Sequence, residues 1–106
     1  MNLPTLAMEL LATAGAAPAG RAAQTLLPGA GAALKQTAMA LMAGAALADH
    51  ESPGAATLQV LHGTVRLSAG EDEWTLDAGD HASIPPVRHG LAAVSDSVVL
   101  ITVAQI

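Results

Sequence analysis

Gly44–Gly63, "GAALADHESPGAATLQVLHG", decides the fold of this chain. A histidine and an acidic residue precede a Pro53-Gly54 break. In "ATLQVLH", Ala56, Leu58 and Val60 then alternate with Thr57, Gln59 and Leu61, and the stretch closes on Gly63. Alternation of this kind has the period of a β-strand, and a glycine at its end permits a tight turn into the next one. The next run obeys the same rule, with Val65 and Leu67 alternating against Thr64, Arg66 and Ser68.

Working outward, the chain from residue 21 onward breaks into short runs between turn signals. Strands are expected at 22–27, 34–42, 46–49, 56–62, 64–68, 73–76, 81–84, 89–94 and 97–103. The separators are Pro28-Gly29, Ala43-Gly44-Ala45, Pro53-Gly54, Gly63, Ala69 to Asp72, Ala78-Gly79-Asp80 and Pro85-Pro86. Many short strands with such punctuation describe a sandwich or a barrel. The alanine-rich stretch from Ala30 to Ala48 is the ambiguous one. Its composition favours helix, and Ala38, Leu41, Met42 and Ala45 fit helical spacing, whereas its glycines favour strand.

Residues 1–20 differ in kind. Leu3, Leu6, Ala7, Leu10, Leu11 and Ala14 share one helical face, Asn2 suits the cap, Pro4 the first turn and Gly15 the stop. The stretch lacks the basic start of a secretion signal, and Glu9 interrupts its apolar run. An N-terminal helix and linker over 1–20, docked on the outside of a barrel over 21–106, is the expected organisation.

Composition narrows the function. One domain is expected from 106 residues, and its core must be built from small aliphatic side chains, because Phe and Tyr are absent and Trp occurs once. So little bulk per chain favours a core shared with a second copy, hence a homodimer. A net charge of -5 with four Lys or Arg argues against nucleic acid and anionic membranes as partners. The absence of cysteine removes disulfides and thiol chemistry, and fits a cytoplasmic location.

Two spacings point to a family. From Gly44, five residues lead to His50, and Ser52, Ala56 and Gly63 follow at fixed intervals. Later, Gly79 is followed by Pro85 after five residues and then by His89. Together they resemble the two motifs of the cupin superfamily, and the closing "DSVVLITVA" is similar to its small single-domain, RmlC-like members. The resemblance implies an all-β, double-stranded β-helix (jelly-roll) barrel, commonly dimeric. It also implies a metal centre of three histidines and a glutamate, from which this chain departs. His50 and His89 match the first and last histidines, while Ser52 stands at the second and Ala56 at the glutamate. Imidazole and carboxylate together suit iron, manganese, nickel or zinc, but two imidazoles alone hold a divalent ion weakly.

His50 and His89 are therefore the candidate site, as polar groups at the barrel mouth or as weak metal ligands, with Gln59 and Met42 as further ligand contacts. No resident cofactor is expected, at most a weakly held divalent metal. His62, His81 and Glu71 to Glu73 are read as surface, and Trp74 as packing on a hairpin. The expected function is small-molecule binding in the barrel without a full metal site. The alternatives are a metal-dependent enzyme of dioxygenase or isomerase type using His50 and His89, and a non-catalytic regulatory or structural partner protein.

Overall fold

A computed structural model describes residues 1–27, 33–50 and 54–104 of the chain. Helix α1 (Leu3–Ala16) starts where the sequence places its cap, with the Thr5 N–H donating to Asn2 Oδ1 at 2.8 Å. It runs one residue past Gly15, and Ala17 leaves the helical conformation. Among the described residues nine strands follow: β1 (Arg21–Leu27), β2 (Leu34–Leu41), β3 (Ala46–His50), β4 (Ala56–His62), β5 (Thr64–Ala69), β6 (Asp72–Asp77), β7 (His81–Ser83), β8 (His89–Ala93) and β9 (Ser97–Ala104).

Every pairing is antiparallel. One sheet has the order β1-β2-β9-β4-β7 and the other β3-β8-β5-β6, so strands distant in sequence lie side by side, as in a jelly roll. Pro28-Gly29 and Pro53, expected as separators, lie outside the described residues.

Period-two geometry sorts the side chains into two apolar layers. Leu41, Leu58, Val60, Val65, Leu67 and Val99 meet between the sheets. On the far face of the larger sheet, Ala38, Ala40, Val98 and Leu100 pack under Leu6, Ala7, Leu10 and Ala14 of α1. Alanines on both sides of that contact let the helix lie close to the sheet. Each fully buried leucine or valine contributes roughly 1.5–3 kcal/mol relative to exposure. β2 and β9 are thus covered on both faces, which explains the alanine-rich, non-alternating sequence of β2.

The ends of the sheets are tied by polar groups. Ser97 is fully buried, and its hydroxyl shares its proton between the carbonyls of Ser95 at 2.7 Å and Thr64 at 3.0 Å. The Thr64 N–H donates to Ser95 Oγ, and the Ala43 N–H to Asp96 Oδ1. Buried polar atoms without such partners would cost stability, and among the described residues none is left over. At the β5–β6 edge, Arg66 pairs with Glu73 at 3.1 Å, an exposed contact of small energetic weight. Trp74, expected to pack on its hairpin, stands opposite Leu67 on the edge strand and is 41% exposed. Among the described residues, no helix is long and apolar enough to cross a membrane.

Candidate functional site

The inner faces of the two sheets leave a space at one end. Register places Lys35 beside Val103 and Val103 beside Ala56, while the Ile84 N–H bonds to the Ala56 carbonyl at 2.9 Å. Residues opposite one another on neighbouring strands share a face, so Lys35, Val103, Ala56 and Ile84 form one row across the larger sheet. The next row inward holds Ile101 and Leu58. The smaller sheet supplies Leu47, Leu67, Leu91 and His89. Together Val103, Ala56, Ile84 and these residues enclose a cavity of about 60 Å³. An apolar cavity of about 150 Å³ accommodates benzene, so this one has room for about two or three heavy atoms.

His89 is the polar side chain among the described residues of this wall, and it is 4% exposed. Its position follows from the sequence. Pro85 and Pro86 carry the chain out of β7, and β8 begins at His89 with its backbone paired to that of His50. Nδ1 lies 2.8 Å from the Val87 carbonyl oxygen. A carbonyl can only accept, so Nδ1 carries a proton, and a neutral ring then has its lone pair on Nε2. This bond fixes the ring's orientation against the cavity.

The other expected site residues divide. The His50 backbone is register partner to His89, but its side chain, like the whole of Ser52, lies outside the described residues. Gln59 does not reach the cavity. It lies between Leu58 and Val60, which point inward, and so it is exposed on the outer face beside Leu100 and His81. Met42 also lies elsewhere, half-buried in the layer beneath α1 and close to Gly15 and Gly20. It is near the first motif in the chain, but the strand ends before it and turns it toward the helix. His62 and His81 are exposed, as surface residues should be. Lys35 and the aliphatic wall are not legible in the sequence, because strand phase assigns a residue to a face only once the pairing is known.

The described residues do not make up a four-ligand metal centre. Ala56, at the glutamate position, contributes only a methyl group to the cavity wall. Among the described residues, no group of three or more His, Asp or Glu could hold a metal ion. Among the described residues, Ala56, Leu58 and Ile101 offer hydrocarbon to this cavity, which supplies no lone pairs to a divalent ion.

Neither the protein families nor the curated proteins give a sequence match. Solved structures do resemble the fold. The chain is similar to an RmlC-like cupin from Shewanella frigidimarina, with 22% identity and a TM-score of 0.72 over 83% of this chain and 78% of that one. It is similar to a cupin superfamily protein from Desulfitobacterium hafniense, with 14% identity and a TM-score of 0.73 over 79% and 76%. It is also similar to an HTH_3 family transcriptional regulator from Vibrio cholerae, with 25% identity and a TM-score of 0.67, covering 79% of this chain and 50% of the regulator. These likenesses carry the fold and leave the activity open.

Proposed function

We propose that this chain, which has the RmlC-like cupin fold, is a small-molecule-binding barrel that takes the apolar part of its ligand between the two sheets, beside His89, without a full metal site. One observation carries the reading: an aliphatic cavity next to a buried imidazole whose orientation is fixed by the Val87 carbonyl. Small-molecule sites are commonly apolar hollows with few, well-placed polar groups. His50, whose backbone adjoins His89, serves the same mouth in this proposal.

The test is titration with 2-methylpropan-1-ol, an uncharged probe, followed through the methyl resonances of Ala56, Ile84 and Val103. Saturable shifts are expected in the native chain. Ala56→Val adds carbon atoms to the cavity wall and should abolish the shifts at Ile84 and Val103, at a stability cost of about 1–3 kcal/mol, the range for added methyl groups in a packed site. Absence of saturable shifts in the native chain contradicts the reading.

The chain acts as a homodimer in this proposal, supported by its small side-chain core and by exposed Leu34 and Val87. Sedimentation at micromolar concentration should give twice the 10.5 kDa chain mass. A single-chain mass contradicts the dimer and leaves the cavity untouched.

A further inference from the structure

The row that bounds the cavity continues onto a cation. Lys35 is the register partner of Val103, which is itself the partner of Ala56, and both partners line the cavity. Lys35 therefore shares the inner face with them, at the end of the sheet where β2 begins, and it is exposed. Cβ atoms on adjacent strands lie about 5 Å apart, so a lysine side chain from this position can reach across the rim of the cavity. The other cations are committed or distant. Arg21 lies at the opposite end of the β1–β2 pair, 3.4 Å from the Ala46 carbonyl, Arg66 is paired with Glu73, and Arg88 has a partner of its own. The Lys35 side chain makes no ion pair or hydrogen bond among the described residues.

A charged group buried among Ala56, Ile84 and Val103 would lose its hydration without compensation. The same group held at the rim keeps its water and gains the ammonium. We infer that the ligand of this cavity is a short aliphatic monocarboxylate, its hydrocarbon end between the sheets and its carboxylate at the Lys35 ammonium. This inference rests on the cavity being the binding site, and adds the charge of the ligand and the residue that reads it.

Isobutyrate and 2-methylpropan-1-ol share an isopropyl tail and differ in charge, so their affinities isolate the head group. At low ionic strength, titration of the native chain should give isobutyrate about threefold tighter binding than the alcohol, the scale of an exposed ion pair. The advantage should shrink as salt is added. Lys35→Met should remove it while leaving the alcohol affinity unchanged, and Lys35→Arg should retain it. Equal affinities in the native chain, or a preference that survives Lys35→Met, overturn the role of Lys35 and leave the cavity reading standing. No saturable shift with either probe overturns both.

Discussion

Gly63→Ala is expected to lower stability by about 2–5 kcal/mol, the sum of a backbone cost and a buried polar cost. Gly63 has φ +77°, a left-handed conformation that β-carbon-bearing residues adopt at a penalty of roughly 1–2 kcal/mol. The added Cβ would also run into the Asp96 carbonyl oxygen and the Ser97 hydroxyl, with Ser95 Oγ at 3.0 Å. Ser97 is buried and hydrogen-bonded to Thr64 and Ser95, so moving it leaves buried polar groups short of a partner, at about 1–3 kcal/mol. Against a typical total of about 5–15 kcal/mol this is a large fraction. Urea denaturation should show a lower midpoint at an unchanged slope. Gly70→Ala is the control, since Gly70 has φ +60° and a Cβ added there would meet nothing within 4 Å, so only the backbone cost applies. Equal losses for the two variants would show that the Asp96–Ser97 contact is not the cause.

Leu58→Ala is expected to cost about 3 kcal/mol, in the range for removing a buried leucine from a core. Leu58 is 1% exposed and belongs to the inter-sheet cluster while also walling the cavity. Its removal joins new empty volume to the existing 60 Å³, which moves the space toward the roughly 150 Å³ that holds benzene. The same variant should therefore be less stable in buffer and partly restabilised by benzene, because a ligand that binds only the folded form raises its stability by mass action. Native protein, with the smaller space, should show little benzene effect. Thermal unfolding with and without benzene reads both. A loss below about 1 kcal/mol would mean that the site collapses around the deletion.

Much of this fold is legible because one-sided strands announce themselves. The alternation through β4 and β5, the glycine between them and the proline pair before β8 each report a local constraint, and the structure places them accordingly. β2 is harder to read. Ala38 and Ala40 pack under the helix while Met39 and Leu41 face the other sheet, so burial on both faces erases the alternation and the sequence resembles a helix. His89 is recoverable from motif spacing. Gln59 and Lys35 show what spacing cannot supply. Gln59 neighbours inward residues yet faces outward, and Lys35 joins the cavity row only through pairing with a strand some seventy residues later in the chain.

The most direct measurement follows the Ala56, Ile84 and Val103 methyl resonances during separate titrations with 2-methylpropan-1-ol and with Co²⁺. A small-molecule cavity without a full metal site predicts saturable shifts with the alcohol and none that saturate with stoichiometric Co²⁺. Saturable paramagnetic shifts centred on His89 at stoichiometric Co²⁺, together with no response to the alcohol, would contradict it.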